Sequence, residues 1–190
     1  MRIGIDISQL AYGSTGVANY LSNLVRELIK NNKHEYVLFF SSLRRNLPKE
    51  LESELTSLGH VSIKKFKLPP AALDLLWNSA HIVPIEVFIG RIDMFISSDW
   101  SEPPTKAKKA TIIYDLIAYK YPEETHNETE FNLNRLNISS NIVAIQKRKL
   151  EWVKKESDVV FCISESSKSD AVEILGLDPK RVEVIYPGIL

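Results

Sequence analysis

Met1-Arg2-Ile3-Gly4-Ile5-Asp6-Ile7, read with the chain that follows it to Phe40, decides the fold. Arg2 to Ile7 is a short apolar run that reads as a β-strand, and it gives way to a polar loop, Ser8 to Thr15, punctuated by Gly13 and Gly16. Val17, Tyr20, Leu21, Leu24, Val25, Leu28 and Ile29 then recur at helical spacing, which predicts an amphipathic helix. Asn31-Asn32-Lys33 ends it, and Tyr36 to Phe40 reads as a buried strand. This is a βαβ unit. Two strands joined through a helix lie parallel, with a right-handed crossover.

The pattern continues outward from that unit. Pro48 to Leu58 reads as a helix stopped by Gly59, and Val61 to Phe66 as a third strand. Pro69-Pro70 opens a helix over Ala71 to Ala80, and Pro84 a short one to Ile89. Ile92 to Ile96 and Ala110 to Ile113 read as strands, Glu128 to Lys155 as a long helix, and Val159 to Ile163 as another strand. Ser164 suits an N-cap, the next helix stops at Gly176, and Arg181 to Ile185 is the last strand before Pro187-Gly188. Most strands are continuous apolar runs, as expected for a sheet covered by helices on both faces. The fold class is therefore α/β, with a Rossmann-like parallel sheet. Residues 1–190 read as a single domain, with the chain ending just past a Pro-Gly turn that should lead onward.

Composition narrows the function classes. Lys+Arg and Asp+Glu are equal at 24 each, so net charge gives no argument for a nucleic-acid partner. No run of about 18 apolar residues exists to span a membrane. Cys162 is the only cysteine and sits in the apolar run Val159 to Ile163, where a small buried hydrophobe is expected rather than a nucleophile. With no signal peptide before the first strand, a cytoplasmic location is expected. His34, His60, His81 and His126 lack ligand spacing, so no metal is expected. The basic cluster Lys147-Arg148-Lys149 with Lys154-Lys155 reads as the wet face of a helix. Contact with anionic lipid is the other reading of it.

In parallel α/β sheets ligands gather at the carboxyl ends of the strands. Three loops there carry candidate residues. In Tyr12-Gly13-Ser14-Thr15-Gly16-Val17, small residues let backbone amides approach a ligand, and the helix N-terminus favours an anion. The loop is neither a P-loop nor a dinucleotide fingerprint. Asp115, in Tyr114-Asp115-Leu116, serves either catalysis or the cap of the next turn. Ser164, Glu165 and Lys168 follow the strand ending at Ile163, with the cap accounting for Ser164. Asp99 and Trp100 lie at another strand end, where the indole either packs or lines a cleft.

In order and spacing these pieces resemble the N-terminal domain of family-4 retaining glycosyltransferases, which have the two-domain GT-B fold. The resemblance rests on the opening Met1-to-Asp6 strand, Ser14-Thr15-Gly16-Val17-Ala18-Asn19-Tyr20, Leu76-Trp77 and Ile92-Asp93-Met94-Phe95. It is completed by Tyr114-Asp115-Leu116, Ile163-Ser164 to Asp170, and Val182 to Gly188. It implies transfer of a sugar from a nucleotide-sugar to a glycan or lipid-linked acceptor, with retention, no cofactor and no metal. It also implies that residues 1–190 are the acceptor-side half, inactive without a C-terminal donor-binding domain. Ser14, Thr15 and Gly16 would then face the donor diphosphate, with Asp99, Trp100, Ser164, Glu165 and Lys168 near the substrates. Asp115 and Tyr114 would sit at the catalytic cleft. Two departures stand out. Thr15 replaces the first glycine of the family's pair, and Tyr114 stands where many members carry histidine; a phenol, with an ordinary pKa of about 10, is no equivalent proton carrier near neutrality. The rival readings are a binding module without catalysis and a GT-B sugar-nucleotide epimerase half.

Overall fold

Among the described residues seven strands form one sheet in the order β3-β2-β1-β4-β5-β6-β7, and each neighbouring pair is parallel. The structure, a computed structural model, describes residues 1–13, 15–30, 33–98, 100–121 and 138–188. The strands are β1 (Arg2–Asp6), β2 (Glu35–Ser41), β3 (Val61–Phe66), β4 (Met94–Ser97), β5 (Lys108–Ile113), β6 (Val159–Cys162) and β7 (Val182–Val184). Between them run α1 (Gly16–Lys30), α2 (Lys49–Thr56), α3 (Pro70–Leu73), α4 (Glu86–Ile89), α5 (Ile117–Lys120), α6 (Ile138–Glu156) and α7 (Glu165–Glu173). The α/β, Rossmann-like class read from the sequence is the observed one.

The period of two in the strands sorts their side chains between two cores. Tyr36, Leu38 and Phe40 join Ile3, Ile5, Leu21, Val25 and Leu55 on the face covered by α1 and α2. Val37, Phe39 and Phe95 point the other way, onto Leu73, Trp77, Ile85 and Ile89. A third cluster joins Ile113, Val160 and Cys162 to Leu150 and Val153 of α6 and Ala171 of α7. Burying each large side chain of this kind contributes about 1.5–3 kcal/mol. Gly4 shows how tight the packing is: a Cβ there would lie 2.7 Å from Ile89 Cδ1 and 2.9 Å from Phe95 Cδ2.

Some details differ from the sequence reading. Ser8 to Tyr12 is not an open loop but a 3-10 helix, because Leu10 and Ala11 turn inward to the core while Leu10 N donates to Ile7 O at 3.0 Å. After α3 the chain continues as a π-helix, Asp74–Ser79. The long helix is described from Ile138 to Glu156, and residues 128–137 of the expected span lie outside the described residues. The basic cluster on α6 is not uniformly wet. Lys149 is buried and its ammonium donates to the Ser98 carbonyl, while Arg148 Nη2 pairs with Asp74 Oδ2 at 2.6 Å. Helix packing against β4 and the π-helix draws these stems inward, which a charge count does not reveal. Among the described residues no helix is long and apolar enough to cross a membrane.

Candidate functional site

The chain passes from β1 to β2 and β3, then returns to β4 on the other side of β1. A crevice opens at such a reversal, at the carboxyl ends of the strands. Two cavities flank the segment after β1 there. The larger, about 620 Å³, lies among the first turns of α1, the ends of β5 and β6, and residues 185–188.

Thr15 and Gly16 shape its entrance. The Thr15 hydroxyl accepts from Ala18 N at 3.2 Å and its carbonyl from Asn19 N at 3.0 Å, so Thr15 is the N-cap of α1. The Gly16 and Val17 amides precede the first intrahelical bond and are left for other partners at the positive end of the helix. Both residues line the cavity. Gly16 itself has no positive φ, and a Cβ placed on it would meet nothing within 4 Å. Neither packing nor backbone conformation requires a glycine there.

Tyr114 and Asp115 reach the same cavity from the end of β5. Asp115 is exposed, and its Oδ1 accepts from Ile117 N at 3.1 Å, which caps the following turn. Tyr114 is only 6% exposed. Its hydroxyl shares a hydrogen bond with Ser98 Oγ at 3.1 Å, and its ring stands edge-on to Tyr20, 5.6 Å between centroids. The ring edge thus forms cavity wall while the phenol oxygen ties the end of β5 to the end of β4.

The β6–α7 loop contributes through packing rather than through its polar groups. Ser164 Oγ accepts from Ser167 N at 3.1 Å, as an N-cap should, and Ser167 Oγ donates to Tyr114 O at 2.9 Å. Ser164, Glu165 and Lys168 do not line the cavity; Ile163 does. Glu165 touches it indirectly, accepting from the Tyr186 hydroxyl at 3.0 Å, and that bond raises the phenol's pKa. Tyr20 Oη, donating to Ile185 O at 3.0 Å, fixes the same wall. Beneath it, burial pushes the Cys162 thiol up to about 11, so it stays an inert core group.

Trp100 lies elsewhere. It lines the smaller cavity, about 270 Å³, with Asp6, Gln9, Tyr12, Leu73 and Asp74. Ser14 and Asp99, the remaining site residues expected from the sequence, lie outside the described residues. Sequence reasoning missed Asn19, Asn23 and Glu27, which line the larger cavity from the face of α1, and Gln9 and Asp6 in the smaller. Asp6 carried a signal, as a carboxylate at the end of an otherwise apolar strand; Gln9 carried none. Among the described residues no group of three or more His, Cys, Asp or Glu is placed to hold a metal ion.

The model of the family described as Glycosyltransferase Family 4 matches residues 14–189. The chain belongs to that family. This family-4 domain also superposes on the structure of Phytolacca americana UGT2 complexed with UDP-2fluoro-glucose and pterostilbene, with a TM-score of 0.53 at 12% identity. The alignment covers 99% of this chain and 52% of that one, so the family-4 chain spans about half the length of the structure it matches. At that identity the likeness speaks for the fold alone, a Rossmann-like half of the GT-B architecture. A short-chain dehydrogenase from Oenococcus oeni PSU-1 aligns over 100% of this chain and 79% of its own at 14% identity, but its TM-score of 0.38 is too low to imply a shared fold. No curated protein sequence matches the chain.

Proposed function

We propose that residues 1–190 are the acceptor-side half of a retaining glycosyltransferase, and that the larger cavity is their share of the catalytic cleft. A C-terminal domain would supply the rest of the nucleotide-sugar site. The Gly16 and Val17 amides would hold the donor diphosphate at the positive end of α1, where charge on the departing nucleotide is stabilised without reorganisation. Asp115, exposed on the same cavity, would face the transferred sugar while capping its turn. Tyr114 has its hydroxyl engaged with Ser98, so its role is positioning: it sets the β5 loop against β4. The acceptor would be a glycan or lipid-linked glycan.

One observation carries this reading. Gly16 is free of any structural need to be glycine, yet it opens onto the cavity at the N-terminus of α1. Gly13, Gly59 and Gly188 are equally unconstrained, but Gly16 alone among these four both opens α1 and lines the cavity, where the missing Cβ lets a ligand come close to the backbone. UDP-, GDP- and ADP-sugars titrated into the 15N-labelled chain should move the Gly16, Val17 and Asp115 amides for one nucleotide class, weakly, with no sugar transfer. Gly16→Ala should weaken that binding at least tenfold, about 1.4 kcal/mol, with the urea midpoint unchanged. No response to any of the three, or a Gly16→Ala chain that loses its fold, favours the binding-module reading. Turnover by residues 1–190 alone would contradict the half-site.

A further inference from the structure

The smaller cavity has a different chemistry. Its floor is Asp6, at the end of β1, and Gln9, in the 3-10 helix that follows. Gln9 is only 6% exposed, and its Nε2 has no hydrogen-bond partner among the described residues. A buried amide left unpaired costs free energy that an apolar residue of the same shape would not. Its neighbours Leu10 and Ala11 are spent on the core, so the fold had an apolar alternative at this turn. Asp6 Oδ1 accepts from Ser8 N at 2.9 Å, and burial raises the carboxyl above the ordinary aspartate range despite that bond.

The walls decide which ligand fits. Tyr12 and Trp100, 39% and 36% exposed as residues, line it with aromatic side chains, and the Arg45 guanidinium lies over one face of the Tyr12 ring, 4.7 Å from its centroid. The Trp100 backbone is fixed from below, its carbonyl accepting from Asn78 Nδ2 at 2.9 Å, while Asn78 Oδ1 accepts from Glu102 N at 2.9 Å. Two carboxylates, Asp6 and Asp74, line the cavity, and no Lys or Arg is among its described lining residues. Arg148, just outside the lining, is paired with Asp74, so the lining favours an uncharged polar ligand over a phosphate. The volume, about 270 Å³, lies just below the usual range of small-ligand sites and suits one ring rather than a nucleotide-sugar. An unpaired amide donor, a buried carboxyl and flat apolar faces together match a ring with hydroxyls on its edge and C–H groups on its face.

We propose that this cavity is a sugar-ring subsite in which Gln9 donates to one ring or hydroxyl oxygen and Asp6 accepts from a neighbouring hydroxyl. The proposal rests on the glycosyltransferase reading, because it assigns the acceptor to this cavity and leaves the donor to the larger one. Such a ring comes either as a free sugar or as the end of a lipid-linked glycan, whose apolar part would continue over Leu73 and Ile145.

The test uses the 190-residue chain with methyl and octyl glycosides of glucose, galactose and mannose below their micellar concentrations, without nucleotide. The Gln9 side-chain amide and the Trp100 indole resonances should shift together and saturate for at least one sugar. Octyl glycosides binding more tightly than methyl ones identify the lipid-linked source, and equal binding the free sugar. Gln9→Met should weaken binding at least tenfold while raising Tm by about 2–4 °C, since it removes an unpaired buried amide. A Gln9→Met chain that binds as well as the parent overturns the proposal, and so does one that melts lower. Absence of any shift at Gln9 with all six glycosides does the same. If nucleotide-sugars still move Gly16 in that case, the glycosyltransferase reading stands and only this subsite falls.

Discussion

Two polar regions of the molecule are built on opposite terms. Behind β4 and β5, Glu102 and Lys109 are 0% and 2% exposed, yet their charges are answered from within. Glu102 accepts from Ser97 Oγ at 2.7 Å and Thr111 Oγ1 at 2.9 Å, and Lys109 Nζ reaches Glu156 Oε2 at 2.5 Å. Around the two cavities, Gly16, Asp115 and Gln9 keep space or bonding capacity open. The difference separates structural polar groups from available ones. Burial and charge alone do not mark a site; an unanswered group beside empty volume does.

The sharpest way to break this comparison is to unbalance the closed region. Glu102→Ala leaves Lys109 with Glu156 alone and the Ser97 and Thr111 hydroxyls with only each other and Ser157, and should cost about 2–3 kcal/mol in urea unfolding. A loss under about 1 kcal/mol, the range of an exposed pair, would mean that the region is not the structural one.

A smaller effect concerns pH. Burial works to raise the Glu156 carboxyl, but Lys109 and His81 outweigh it and hold it below the ordinary glutamate range. A depressed folded-state value means that the unfolded chain binds the proton first. Its contribution to stability is therefore complete above the ordinary glutamate pKa of about 4.3 and is lost as pH falls through the lower folded value. Glu156→Gln should flatten that part of the stability–pH curve, and an unchanged slope would assign it to other carboxylates.

Smaller again, Ser164→Ala removes the cap of α7 and should cost about 1 kcal/mol in thermal unfolding. It should leave nucleotide-sugar binding intact, because Ser164 does not line the cavity. Loss of binding with little loss of stability would move Ser164 from the structural group to the site. Gly16→Ala marks the other end of the scale, with no stability change and a loss of binding alone.

The two regions also differ in how far they were legible in the sequence. Thr15 reads as a departure from the family's glycine pair and proves to be the N-cap of α1, a role any Ser or Thr before a helix suggests. Tyr114 reads as a replaced histidine at the cleft; its hydroxyl in fact faces Ser98, sixteen residues away, which no local pattern encodes. Ser164, Glu165 and Lys168 share one turn of sequence with Ile163, but the twist of that turn gives the apolar residue, not the polar ones, to the cavity.

Local periodicity and capping were enough to determine the alternation of strands and helices, the parallel sheet and the capped start of α7, because each depends on side chains two to four positions apart; the family showed in the order of motifs along the whole chain, from Ser14 to Gly188. Tertiary structure decided the rest. Tyr20 meets Ile185 across 165 residues, and Arg148 meets Asp74 across 74. Which polar groups are answered and which are left open toward a cavity depends on contacts of that range. Only packing the helices onto the sheet brings them about.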